Sequence, residues 1–145
     1  MVNHVACWHH AGMQAITAVS IEPSSTVQRL VRLTLEFNGI SVAQADEGGA
    51  GLELIQSLSP DLVLIGADVA GIGALELCRL IRIDFQLCNT AVVVLADSLD
   101  DLHVQQGLKA GASAYLGKPF SPVRLTSLVH QLMGSPSHLT SLKTA

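Results

Sequence analysis

Five short apolar runs alternate along the chain with segments in which apolar residues recur every three or four positions. The runs cover residues 15–21, 40–45, 62–65, 91–95 and 112–116. The second run alternates with polar residues, and a glycine-rich turn at residues 46–49 follows it. Apolar runs without polar alternation are typical of strands covered on both faces, and the three-to-four spacing is typical of amphipathic helices. Strands and helices that alternate with short connections predict one α/β domain, with a parallel sheet between two helix layers.

The third apolar run, LVLI at residues 62–65, ends at Gly66. In open α/β sheets, functional sites lie in loops at the carboxyl ends of strands. The residue at this strand end is a glycine, which has no side chain to react or to bind a metal. The loop that follows consists of small residues and carries one charge, Asp68.

Length and composition narrow the class of protein. The 145 residues suggest one domain, and 49% apolar with 14% charged residues argues against disorder. The formal charge of −4 and the scattered basic residues give no footprint for nucleic acid. We expect no membrane span, because no apolar run approaches roughly 18 residues.

Two further patterns concern cysteine and arginine. Cys7, Cys78 and Cys88 fit neither a disulfide framework nor a zinc site, so we expect a reducing, cytoplasmic location. Arg79 and Arg82 are three residues apart and can share one helix face. We interpret this pair as solvated helix surface rather than as a phosphate clamp.

The two ends of the chain differ from its centre. We predict an N-terminal extension at residues 1–14, a domain at 15–133 and a frayed, Ser/Thr-rich tail at 134–145, too short for a DNA-binding domain. The extension contains metal-ligand residue types at His4, Cys7, His9 and His10. Adjacent histidines cannot easily complete a tetrahedral site, so a plain extension is favoured over a metal site.

Four segments together resemble the receiver domain of two-component response regulators, the CheY-like family. Glu22 and Pro23 follow the first strand, PDLVLI occupies residues 60–65, GIGALELCR occupies 71–79 and KAGASAYLGKPF occupies 109–120. The third segment departs from the family pattern at Ala74, where a glycine is usual. The resemblance covers about residues 16–133 and implies a flavodoxin-like sheet of order 2-1-3-4-5 with five flanking helices.

The resemblance also implies a phosphoryl-transfer site, but most of the residues that such a site requires are replaced in this sequence. Receivers accept a phosphoryl group from a histidine kinase on an aspartate, and Mg²⁺ neutralises the charge that develops. The family's aspartate falls on Gly66, and its two metal-binding acids fall on Ser20 and Ile21. The hydroxyl that responds to phosphorylation falls on Ala96. We therefore expect an atypical receiver, a pseudo-receiver, that is not an enzyme and needs no metal or cofactor.

The lysine of the family's site is retained as Lys118. Pro119 follows it, and the family holds this Lys-Pro bond cis. The aromatic residue that changes position when a receiver is phosphorylated falls on Tyr115. A rearranged loop could bring Asp68 and Glu22 to Lys118. We favour a structural ion pair there over a working metal site, because a buried lysine without phosphate needs an anion.

The function predicted from these features is phosphorylation-independent protein–protein interaction in signal transduction. The resemblance implies contacts on the face of the fourth helix, fifth strand and fifth helix, with a partner protein or a second copy. The candidates there, each of which could be ordinary helix surface, are His103, Gln105, Gln106, Tyr115, Arg124 and His130. An alternative is a small-ligand sensor in the space left at Gly66, Ala96 and Ser20. An enzyme ranks lowest, because no catalytic set has a recognised spacing.

Overall fold

The computed structural model describes residues 16–133, which form five parallel strands and five helices. The strands are β1 (Ile16–Ile21), β2 (Ile40–Ala45), β3 (Leu62–Gly66), β4 (Ala91–Ala96) and β5 (Ala114–Gly117). The helices are α1 (Ser25–Phe37), α2 (Gly48–Leu58), α3 (Ala74–Ile83), α4 (Asp101–Ala110) and α5 (Pro122–Met133). The strand order β2-β1-β3-β4-β5 confirms the predicted fold. The candidate metal ligands of the N-terminal extension lie outside the described residues.

The sheet separates two apolar cores. On one face, Val63 and Ile65 of β3 pack with buried residues of α2, α3 and α4. On the other face, Leu62 and Leu64 pack with buried residues of α1 and α5. All five residues of β3 are buried, as the unbroken apolar run predicts for a central strand. Within residues 16–133, no helix has both the length and the apolar character that crossing a membrane requires.

Helix ends follow local capping chemistry. The Ser24 hydroxyl accepts a hydrogen bond from the amide of Val27 at 3.3 Å and begins α1. Beyond the other end of that helix, Gly39 adopts a left-handed φ of 79°, as the Asn-Gly pair predicts. The carboxylate of Asp100 accepts from the amide of His103 at 3.1 Å and begins α4.

Two predicted boundaries were wrong. Strand β5 begins at Ala114 rather than at residue 112, because residues 111–112 form the C-terminal cap of α4. Gly111 there has a φ of 120°, and the amide of Ala112 still donates to the carbonyl of Gly107. Helix α2 begins inside the predicted turn at residues 46–49, because Glu47 caps the first amides of the helix.

The pair of arginines on α3 divides between two roles. Arg79 lies on the surface, 3.8 Å from Glu76. Arg82 instead joins the segments that precede β4 and β5, which corrects the prediction of a solvated pair. Its guanidinium donates to the carbonyls of Gly111, Cys88 and Thr90 and to the hydroxyl of Ser113, at 2.6 to 3.2 Å.

Replacing Arg82 should therefore destabilise the fold much more than replacing Arg79. We expect Arg82→Ala to lower the free energy of unfolding by about 2 kcal/mol, because several carbonyls lose a charged donor. Arg79→Ala, the matched control, should cost less than about 0.5 kcal/mol, since its ion pair is exposed. Urea denaturation followed by circular dichroism measures both values, and equal losses would contradict the assignment.

Candidate functional site

The carboxyl ends of β1, β3, β4 and β5 meet at one edge of the sheet. The parallel register aligns Ser20 with Leu64, Gly66 with Leu95 and Ala96 with Gly117. This edge and its loops carry the positions that the resemblance singled out, which are Ser20, Ile21, Glu22, Gly66, Asp68, Ala96 and Lys118.

Lys118 lies between two carboxylates at this edge. Its ammonium Nζ is 3.2 Å from Glu22 Oε1, 3.3 Å from Glu22 Oε2 and 3.4 Å from Asp68 Oδ1. The Glu22 side chain is fully buried, and that of Lys118 is 10% exposed. The Asp68 side chain is 57% exposed. The structure thus brings all three predicted residues together, and the Glu22 contact is the one shielded from water.

The two carboxylates keep Lys118 protonated. Burial alone would lower the pKa of its ammonium, but the hydrogen bonds and charges of Glu22 and Asp68 outweigh burial and raise that pKa above its ordinary 10.5. Because the pKa of Lys118 is higher in the folded than in the unfolded state, its protonation stabilises the fold. This stabilisation is complete at pH values below 10.5 and is lost as the pH rises through the pKa of the folded state. The ion pair therefore contributes throughout the neutral range.

The positions that would bind a metal are built differently. Ile21 belongs to the apolar core, and its side chain lies so close to Gly51 of α2 that a Cβ there would be 3.1 Å from Ile21 Cγ2. Ser20 is fully buried, and within residues 16–133 its Oγ is a buried side-chain oxygen without a hydrogen-bond partner. The described part of the chain holds no cluster of three His, Cys, Asp or Glu side chains suited to a metal ion.

Tyr115 of β5 packs against α4. Its hydroxyl donates to the main-chain carbonyl of His103 at 3.2 Å. Tyr115 therefore has a partner in α4, although residue 96, where the family has the responsive hydroxyl, is an alanine. Gly107 makes this possible, because a Cβ at that position would overlap the phenol oxygen. Burial, and secondarily the nearby Cys78, raises the pKa of the Tyr115 hydroxyl, so it remains a donor at neutral pH.

The remaining candidate contacts lie on the surface. His103, Gln106 and Arg124 are exposed, as are Gln105 and His130. His103 Nδ1 lies 2.6 Å from Asp100 Oδ2. The main-chain amide and the imidazole of His103 hold the pKa of the Asp100 carboxyl below its usual 3.8. This stretch of α4 is therefore exposed and negatively charged at its beginning.

Several residues that shape the site were missed from the sequence. Gln28 donates from Nε2 to the carbonyls of Glu22 and Ala45, at 2.6 and 2.8 Å, and so fixes the β1–α1 loop. The amide of Ser24 donates to Glu22 Oε2 at 3.0 Å. Of the residues that were missed, only Gly107 could have been found from the sequence. An isolated glycine inside a helix pattern often indicates close packing against another residue.

The family model described as "Response regulator receiver domain" matches residues 18–130. The chain belongs to the response regulator receiver domain family. It is a module of signal transduction in two-component systems rather than a conventional enzyme. The Lys118–Pro119 bond is cis, as this family membership predicts.

Two curated relatives share the domain. The chain is 31% identical over 116 residues to the DNA-binding response regulator MtrA of Mycolicibacterium smegmatis, covering 80% of this chain and 49% of that protein. It is 30% identical over 118 residues to the transcriptional regulatory protein CseB of Streptomyces avermitilis, covering 81% and 49%. The chain thus spans about half the length of these relatives.

Solved structures agree on the fold. A response regulator from Thermotoga maritima superposes with a TM-score of 0.75 at 27% identity, covering 83% of this chain and 99% of that one. The chemotaxis response regulator CheY4 of Vibrio cholerae superposes with a TM-score of 0.78, covering 81% and 98%. At 22% identity, the second likeness bears on the fold alone.

Removing the Lys118 charge should leave the buried Glu22 carboxylate without a cation. We expect Lys118→Met to lower the free energy of unfolding by about 3 kcal/mol, the lower end of what breaking a buried ion pair costs. Lys109→Met makes the same change on the exposed surface of α4 and should stay within about 0.5 kcal/mol. Urea denaturation at neutral pH measures both, and a Lys118→Met protein as stable as Lys109→Met would show that the pair is not stabilising.

Proposed function

We propose that this receiver domain signals through protein contacts that do not depend on phosphorylation. The observation that carries the proposal is Gly66, the last residue of β3, where the family places its phosphoryl acceptor. A phosphoryl acceptor needs a nucleophilic oxygen, and glycine supplies none. In this sense the domain is a pseudo-receiver.

The neighbouring positions support the same proposal. Mg²⁺ prefers carboxylate and water oxygens, whereas Ser20 offers a neutral hydroxyl and Ile21 an alkyl group packed in the core. Ala96 has no hydroxyl to bind a phosphoryl oxygen. Because the acceptor, the metal ligands and the responsive hydroxyl are absent together, we propose that the domain needs no metal or other cofactor.

The proposed partner is a cytoplasmic signalling protein or a second copy of the chain. The proposed contact face consists of α4, β5 and α5, with His103, Gln106, Tyr115 and Arg124 as central positions. Gly107 and His103 hold Tyr115 against α4, which gives this face a defined shape without a phosphate. A nucleic-acid partner is not proposed, because the formal charge of the chain is −4.

The alternative of a small-ligand sensor loses its main support. The space expected beside Gly66 is taken by the Glu22 carboxylate, which is itself paired with Lys118. A ligand at this strand end would have to displace a buried ion pair.

Incubation with acetyl phosphate and Mg²⁺ tests the proposal. Intact-mass spectrometry should show no phosphorylated species, because residue 66 carries no carboxylate. The positive control, treated in parallel, is a receiver domain that has the phosphoryl-accepting aspartate and both metal-binding acids. A phosphoryl adduct that peptide mapping assigns to the β1–α1 loop or the end of β3 would overturn the proposal.

Charge placed on the contact face should weaken partner binding. We expect Gln106→Arg on α4 to reduce recovery of a specific partner, or self-association in light scattering, at least about tenfold, because an unpaired charge buried in an interface costs several kcal/mol. Gln56→Arg makes the same change on exposed α2 and should leave binding unaffected. Equal binding by both variants would place the contact on another face.

A further inference from the structure

The space beside the end of β3 is occupied by a side chain from a different loop. A Cβ built on Gly66 would overlap Glu22 Oε1 and would lie 3.1 Å from Glu22 Cδ and 3.1 Å from Asp68 Oδ1. The approach to Glu22 Oε1 is closer than real Cβ atoms show, so the end of the Glu22 side chain would have to move. The carboxylate of the β1–α1 loop therefore lies where a residue 66 side chain would begin.

The Glu22 carboxylate is held there by donors on both oxygens. Oε1 accepts from Lys118 Nζ at 3.2 Å, and Oε2 accepts from the Ser24 amide at 3.0 Å and from Lys118 Nζ at 3.3 Å. The side chain is fully buried. A buried carboxylate with this set of donors is a stable anion, because its charge is paired and its lone pairs are used.

We infer that Glu22 is an internal ligand of Lys118, which replaces the missing acidic side chain of β3 and closes the site to phosphate and other external oxyanions. Gly66 and Glu22 are then a compensating pair, because the site accommodates a side chain from one position but not from both. The inference rests on the proposed function, since a site that accepted a phosphoryl group could not be closed in this way.

A double-mutant cycle on thermal stability tests the steric part. Gly66→Ala should lower Tm by about 5 °C or more in the natural sequence, because its methyl group meets the Glu22 carboxylate. In a Glu22→Ala background the same substitution should cost far less, since the obstructing atoms are gone. The control is Gly73→Ala, whose Cβ would meet nothing within 4 Å and whose effect should be small in both backgrounds. Equal costs of Gly66→Ala in the two backgrounds would overturn the inference.

Should Gly66→Ala fail to fold with Glu22 present, recovery of folding in the Gly66→Ala, Glu22→Ala double variant gives the same answer. A double variant that also fails, beside a folded Glu22→Ala single variant, counts against the pair.

Titration with inorganic phosphate tests the electrostatic part. The natural protein should show no phosphate-dependent change in Tm or in the amide resonances of Ser24 and Lys118. Glu22→Ala should gain both, because Lys118 and the Ser24 amide lose the buried carboxylate that they share, while the exposed Asp68 contacts only Lys118. The gain should disappear in a Glu22→Ala, Lys118→Met variant. Glu36→Ala removes the same charge from the exposed face of α1 and should behave as the natural protein does.

The outcomes separate the two proposals. If the natural protein and Glu22→Ala both bind phosphate, or if neither does, the inference about Glu22 is overturned. The result with acetyl phosphate, which tests the proposed function, is not affected by this outcome. Conversely, labelling by acetyl phosphate overturns the proposed function even where the Gly66–Glu22 cycle shows coupling.

Discussion

The structure at the carboxyl edge of the sheet depends on the ion pair between the buried Glu22 carboxylate and the Lys118 ammonium. The Glu22 carboxylate is removed from water, and an unpaired charge in that position would cost several kcal/mol. Lys118 supplies the cation from the residue after β5, an edge strand that β3 and β4 separate from β1. The contact therefore ties the β1–α1 loop to the β5–α5 loop directly, and Asp68 adds a weaker, solvent-screened contact from the β3–α3 loop.

The fold itself does not depend on that edge. The two apolar cores are built from alternating residues of the central strands and from one face of each helix. Within one of those cores lies Ile21, at a position where the resemblance implies a metal-binding acid. The apolar side chain of Ile21 extends the core toward the site, so the packing of the scaffold does not need an acid at that position.

Much of this was readable from the sequence, for identifiable reasons. The apolar run of β3 predicted a central strand, and the four segments that together resemble the receiver family gave the strand order. The ion pair at Lys118 was favoured from the sequence, but it could be derived only through a rearranged loop. That loop is fixed by Gln28, a helix residue whose hydrogen bonds no local pattern predicts. The role of Arg82 was predicted wrongly, since its partners come from segments that are remote along the chain.

Under the proposed function, both residues that would respond to a phosphate already have partners inside the domain. Lys118 is bound by Glu22, and Tyr115 is bound by the main chain of α4 at His103. A ligand shifts a conformational equilibrium only by its difference in affinity for the two states. Once the internal carboxylate fills the site, a phosphate has little affinity for either state and little leverage over the face of α4, β5 and α5. Control of such a domain then rests on the abundance of the protein and its partner, or on signals that reach that face directly.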